Sequence, residues 1–420
     1  MKFKLSPLDE MAPRGRRRLS VLACIALFLS VSACRKSDPV SPEKEKGLSR
    51  LSTSGNRIVD ASGTPVILRG INRSGLEYDK NGNRISEEEI RFICTQWKAR
   101  VIRLPFNQDW VANDLDYLNF MDRVIGWINQ AGAYAMIDLH WEDTTVRIPP
   151  IPNVLAAFIW QTLAARYRDN PGVLYDIHNE AHNTTWTAWR NRAVQIIEAI
   201  REVHPDALIL VCGLDWAYDL RGWEADPLPF ENIVYSTHPY PFKGEPWAWD
   251  KYFGRFAETH PVIAGEFGGG EADLVWGRRL IRYFNDKQMG WAAWSWVDSP
   301  HLTRDDRRTP TAFGRLVRLA LQRHAGVDSV RLALTDLAVR NPGRDHATIA
   351  WKTSAPADSK VRYGMTEAYT DSVHAAVEVP DHAIRLSGLS PGTTYHYRVV
   401  SRDWYGDVVH SGDAIFETLP

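Results

Sequence analysis

Eight short apolar runs recur through the middle of the chain: VILRGIN (66–72), VIRLPFN (101–107), YAMIDLH (134–140), VLYDIHNE (173–180), LILVCG (208–213), IVYSTHPY (233–240), VIAGEF (262–267) and GWAAWSW (290–296). Hydrophobicity that is nearly continuous rather than alternating is what parallel strands buried on both faces require. Between the runs lie segments with helical apolar spacing, roughly 117–131, 154–168, 186–203, 273–287 and 313–324. Ser86 followed by Glu87, Glu88 and Glu89 predicts the capped start of one more. Strand and helix alternating eight times over roughly 270 residues predict an α/β fold, a (β/α)8 TIM barrel. An open doubly wound sheet would carry a glycine-rich phosphate loop after its first strand, and the sequence has none there. Ahead of the first run, GNRIVDASGTPVILRGIN (55–72) reads as two strands around an Ala61–Thr64 turn, a hairpin closing one barrel end.

The texture changes at about Ala325-Gly326-Val327, which places the barrel at 51–325 and a second domain at 326–420. Helical spacing stops. Short runs follow (DSVRLAL, ATIAWKT, KVRYG, IRLSGL, YHYRVVS and AIFET), parted by turn signals such as Asn341-Pro342-Gly343 and Ser390-Pro391-Gly392. This predicts a small all-β, immunoglobulin-like sandwich of about 90 residues. Its segment from Leu389 to Val399, with Tyr395 and Tyr397, resembles the tyrosine corner of fibronectin type III domains, a stability device that implies no ligand.

The N-terminus reads as a targeting segment. Lys2, Lys4, Arg14 and Arg16 to Arg18 form a basic region ahead of an apolar run, Leu19 to Ser30, too short to span a bilayer, which takes roughly 20 residues. Val31-Ser32-Ala33-Cys34 then looks like a bacterial lipobox, so residues 1–33 are expected to be a lipoprotein signal peptide and Cys34 the lipidated residue. Cleavage by ordinary signal peptidase is the alternative. Residues 34–50, polar and proline-bearing, form a tether. The protein is therefore expected in the cell envelope, anchored to a bacterial membrane or secreted. Cys94 and Cys212 fall in apolar patterns and read as small buried hydrophobes.

Composition narrows the partners. An apolar fraction of 44% and a charged fraction of 24% are ordinary for a globular chain, and a net charge of −1 gives no reason to expect nucleic acid. Tryptophan, at 17 residues, is the unusual count, and a flat apolar ring is what stacks on a sugar face.

The candidate chemistry sits where strands run out. The fourth and seventh runs each end in an acid, Glu180 and Glu266, and a carboxylate at the end of a buried strand costs desolvation. Two of them suggest paired carboxylates facing one pocket, the apparatus of a retaining glycosidase. Arg103 lies in the second run, His140 ends the third, Asn179 precedes Glu180, His238 and Tyr240 end the sixth, and Trp294 lies in the eighth. With these residues in this order, the span from about Leu51 to Gln322 resembles glycoside hydrolase family 5, the cellulase-like barrels.

The resemblance implies roles. Glu266 would be the nucleophile and Glu180 the acid that protonates the leaving oxygen and later deprotonates water, their carboxyls about 5 Å apart. Arg103 and Tyr240 would hold Glu266 as the anion. Asn179 would bind the sugar 2-OH, and His140 and His238 would bind hydroxyls or position Glu180. Trp294 would floor the subsite of the distorted sugar, with Trp296 as the alternative. Many family members have proline after the acid, where this chain has Ala181 and then His182. His178 and His182 are four apart, yet they lie at a strand end rather than on a helix, so no metal site is expected from them. Trp141, Glu142, Asp143, Trp216, Trp247 and Trp249 follow strands three, five and six and would line a cleft or simply pack.

The expected activity is that of an endo-β-1,4-glucanase on a β-glucan, working as a monomer without a cofactor. The same machinery on β-mannan or xyloglucan, or a non-catalytic glycan-binding lipoprotein, are the alternatives.

Overall fold

The computed structural model describes residues 47–244 and 246–420. The expected signal peptide, Cys34 and most of the tether lie outside the described residues.

Each of the eight apolar runs holds one barrel strand: β1 Arg69–Asn72, β2 Val101–Asn107, β3 Tyr134–Trp141, β4 Val173–Asp176, β5 Ile209–Cys212, β6 Ile233–Thr237, β7 Val262–Ala264 and β8 Gly290–Ala293. All neighbours are parallel, and β8 pairs with both β7 and β1, closing the barrel. Alternation along the strands sorts side chains into two sets. Outward residues such as Ile102, Ile137, Tyr175 and Val211 pack against the helices. Inward residues Leu68, Val101, Met136, Leu174, Leu210, Val234 and Ile263 form an apolar floor, plugged by Leu51 and Ile58 from the N-terminal hairpin.

That hairpin differs from the expectation. Ser52–Ser54 pairs with Arg57–Val59 around Gly55-Asn56, and the Ala61–Thr64 turn carries only one further bridge, Val59 to Pro65. The polar strand Ser52–Ser54 has no apolar signature, which is why its pairing was not legible.

The long helices fall where the spacing predicts them, at Leu115–Gln130, Ala156–Tyr167, Trp186–Val203, Leu274–Lys287 and Ala312–His324. Ser86 caps Glu87–Phe92 by accepting the Glu89 N–H. After β5 and β6 the helices shrink to Arg221–Ala225 and Pro246–Trp249. Pro227 and Pro229, then Pro239, Pro241 and Pro246, break those connections.

The C-terminal region is antiparallel and all-β: β9 Leu334–Arg340, β10 His346–Gly364, β11 Asp371–Ser387, β12 Thr394–Arg402, β13 Val408–His410 and β14 Ala414–Glu417. They form one sheet in the order β9-β10-β12-β13, with β11 on β10 and β14 on β12, around a core that includes Trp351, Val361, Tyr397 and Phe416. The Tyr395 hydroxyl accepts the Ser390 N–H at 3.0 Å, the expected corner. Residues 47–420 make a single compact unit, because the loop between β12 and β13 reaches into the barrel's outer core with Trp404 and Tyr405. Cys94 and Cys212 are both buried and unpaired.

Candidate active site

Above the apolar floor the inward positions turn polar. Two residues beyond Val101, Met136 and Leu174 come Arg103, Asp138 and Asp176, and register sets Asn72 beside Arg103 and Asp138 beside Asp176. Arg103, with no exposed surface, is the hub. Its Nε donates to Asp176 Oδ2 at 2.8 Å, Nη1 to Asn72 Oδ1 at 3.0 Å and Glu266 Oε1 at 2.7 Å, and Nη2 to Asn179 Oδ1 at 2.9 Å. Asp138 Oδ1 lies 3.0 Å from the same Nη2. Burial alone would make this guanidinium easier to deprotonate, but Asp138, Asp176 and Glu266 outweigh it and hold it a cation.

One layer higher, at the strand ends, the two glutamates face each other. Oxygens of Glu180 and Glu266 and a ring nitrogen of His238 all lie within 4.8 Å of one another. So close an approach of their oxygens fits a retaining pair, with carboxyls about 5–5.5 Å apart, better than the wider spacing of an inverting one. Glu266 is anchored on both oxygens, by Arg103 on Oε1 and by the Tyr240 hydroxyl, which donates to Oε2 at 2.9 Å. Glu180 has a lighter hold: its Oε1 lies 3.1 Å from His238 Nδ1, and its side chain is 13% exposed.

The environments differ accordingly. Burial raises the Glu180 carboxyl above the ordinary range, and neighbouring His140 and Arg103 only partly offset it. Burial likewise pushes Asp138 and Asp176 up to about 7, against the pull of Arg103. Burial lowers His140 to about 4 and His238 to about 3, so both rings are neutral near pH 7. His140 Nδ1 is 2.7 Å from Asp138 Oδ2, and its ring stacks on Trp294 with centroids 5.4 Å apart and 11° between planes. Asn179 turns its carbonyl oxygen to Arg103, which leaves its NH2 as the free donor beside Glu180.

The structure thus gathers Arg103, His140, Asn179, Glu180, His238, Tyr240, Glu266 and Trp294 around one cleft. Between the two tryptophans of the eighth run, Trp294 is partly exposed on the cleft, whereas Trp296 is fully buried against Trp97. Trp249 does not line the cleft: it is 1% exposed and packs on Trp276 and Tyr283, while its neighbour Trp247 is 76% exposed. His178 is buried beside Trp189, and His182 stacks flat on Trp216 with centroids 3.6 Å apart. Sequence reasoning passed over Asn72, Asp138 and Asp176; the signal was the two-residue step from the floor positions Met136 and Leu174.

Comparisons with known proteins identify the family of the barrel. The family model for cellulase (glycosyl hydrolase family 5) matches residues 59–300, more than half of the chain, and the model for the purple acid phosphatase N-terminal domain matches residues 328–413. Endoglucanase E-5 of Thermobifida fusca is 25% identical over 275 residues, 59% of this chain and 56% of that protein. Endoglucanase MaCel5A of a Microbulbifer species is 25% identical over 268 residues, 59% of this chain and 51% of that protein. The chain therefore spans about half the length of these curated relatives. Among solved structures, the β-glucanase SdGluc5_26A from Saccharophagus degradans superposes with a TM-score of 0.61 at 25% identity, over 66% of this chain and 94% of that one. By the extent of the family match, the chain belongs to glycosyl hydrolase family 5, the cellulase family.

Proposed function

We propose that this protein is an exported, retaining endo-β-1,4-glucanase that works by double displacement. The observation that carries the reading is the Glu180–Glu266 pair, within 4.8 Å and unequally held. Glu266, held by hydrogen bonds from Arg103 and the Tyr240 hydroxyl, attacks the anomeric carbon as its lone pair forms the glycosyl–enzyme bond and the leaving oxygen departs with the Glu180 proton. Glu180, now ionised, takes a proton from water, and hydroxyl attack at the same carbon releases Glu266. Before reaction Glu180 keeps its proton because it is buried without a cation of its own, which is the assignment of roles that a raised carboxyl supports. Asn179 donates to the 2-OH, His140 and His238 meet hydroxyls as neutral rings, and Trp294, braced by His140, floors the distorted sugar.

The sugar class rests on relatives: two endoglucanases, and a β-glucanase whose structure has also been determined with cellotetraose. The test is to incubate the chain with cellulose derivatives, mixed-linkage glucan, xyloglucan and mannan while following anomeric configuration by NMR. We expect internal cleavage of β-1,4-glucan with β-product formed first. First-formed α-product would end the retaining mechanism, and faster cleavage of mannan or xyloglucan would move the substrate.

The remaining parts of the reading are organisation and place. Residues 51–325 would be the catalytic barrel and 326–420 a fibronectin type III-like spacer, with 1–33 removed and 34–50 a lipidated tether. Replacing Cys34→Ala should move the protein from the membrane fraction to the soluble one; unchanged fractionation would remove the anchor.

A further inference from the structure

The catalytic pair is also a ready-made set of metal ligands. His238 Nδ1 sits 3.1 Å from Glu180 Oε1 and 3.8 Å from Glu266 Oε2, and the three residues offer one ligand atom each within 4.8 Å of one another. Zinc bonds of about 2.0–2.2 Å in a tetrahedron separate ligand atoms by roughly 3.3–3.6 Å, so small side-chain rotations would seat the ion. The surroundings favour a dication. Asp138, Asp176, Glu180 and Glu266 converge here, and among the described residues Arg103 is the one guanidinium in contact with them. The ligand set is selective as well. One imidazole and two carboxylates suit Zn2+ or Cu2+, whereas Mg2+ demands six oxygens in an octahedron.

We infer that Glu180, His238 and Glu266 form an inhibitory site for Zn2+ or Cu2+, at which the metal and the sugar exclude each other. Metal binding stands on the geometry alone; its inhibitory consequence rests on the function proposed above. A bound ion would occupy the lone pairs that Glu266 needs for attack and displace the proton Glu180 must deliver. It would also break the Glu180–His238 contact.

The experiment is calorimetric titration of the full chain, purified without a metal-binding tag, with ZnCl2 and separately with MgCl2. We expect one Zn2+ bound at this site and no Mg2+ heat. Glu180→Gln and His238→Ala should each weaken Zn2+ binding at least about tenfold. Saturating cellotetraose should displace the ion from the unmutated chain, a measurement that does not depend on how either variant folds. A second cluster, Glu367, His396 and Asp413 on the β domain, serves as the control. Absence of Zn2+ binding, binding indifferent to cellotetraose, or loss of binding on His396→Ala instead would each overturn the inference. A chain that binds Zn2+ as described but hydrolyses no glycan would sink the proposed function and leave the metal site standing. An active chain without Zn2+ affinity would do the reverse.

Discussion

Of the four arginines buried among the described residues, two differ most in use, Arg103 in the barrel mouth at 0% exposure and Arg323 at the junction with the β domain at 6%. Their surroundings are opposites. Arg323 pairs with Asp403, its Nε donates to Val330 O at 2.8 Å, and Trp404 and Tyr405 cover its face. The other Asp403 oxygen accepts the N–H groups of Tyr405, Gly406 and Asp407, a tight turn in which Gly406 takes a φ of +104°. Asp403 is thus held from both sides, and the half-buried Asp407 adds a second carboxylate 3.8 Å from the Arg323 Nε. Arg103 instead faces three carboxylates, and one of them, Glu266, opens onto the cleft. A matched buried pair holds elements together; an over-supplied one stores negative charge where a reaction can use it.

Reciprocal substitutions would sharpen this contrast most. Arg103→Lys replaces a planar fork that reaches Asn72, Asp176, Asn179 and Glu266 with a point charge that can satisfy only part of them. We expect kcat/KM to fall about 10²–10³-fold, the scale of losing a preorganised charge stabiliser, in a chain that still folds. Arg323→Met should strand Asp403 without its cation and cost about 3–5 kcal/mol of unfolding free energy in denaturant, with kcat per folded molecule unchanged. A junction variant with lowered kcat and native stability, or a barrel variant with native kcat, would erase the distinction.

The two sites were unequally legible in the sequence. Glu180, Glu266, His140 and His238 announce themselves because polar residues at the ends of apolar strands have few structural uses. Asp138 and Asp176 lie inside such runs, and only the inward register shared with Met136 and Leu174 reveals that they face Arg103. The junction was unreadable. Arg323 lies in an ordinary basic helix end, and its partner is 80 residues on, in a loop whose role depends on how two domains dock. Trp247 and Trp249 make the same point over a shorter distance: nothing in a proline-broken stretch says which ring turns inward. Local periodicity carries the barrel, whereas contacts between distant loops need the folded chain.

A smaller effect separates the arginine sites by their response to acid and base. The mouth of the barrel contains a titrating group that reaches the cleft, Glu180, and burial raises its carboxyl. The charged and titratable neighbours facing it are Glu266, Asp138, Tyr240, His140, His182, Arg103 and Lys243, together with His238, which is in contact. His140 and His238, lowered to about 4 and about 3, do not change charge between pH 5 and 8. The alkaline limb of kcat/KM should therefore belong to Glu180. Rising pH removes the proton that the leaving oxygen needs, and the rate should drop about tenfold per pH unit beyond the midpoint. Glu180→Gln, assayed on an aryl β-glycoside whose leaving group needs no acid, should lose that limb. If the limb persists in this variant with an unshifted midpoint, the proton comes from elsewhere in the Arg103 cluster, where Asp138 and Asp176 are the carboxyls raised to about 7.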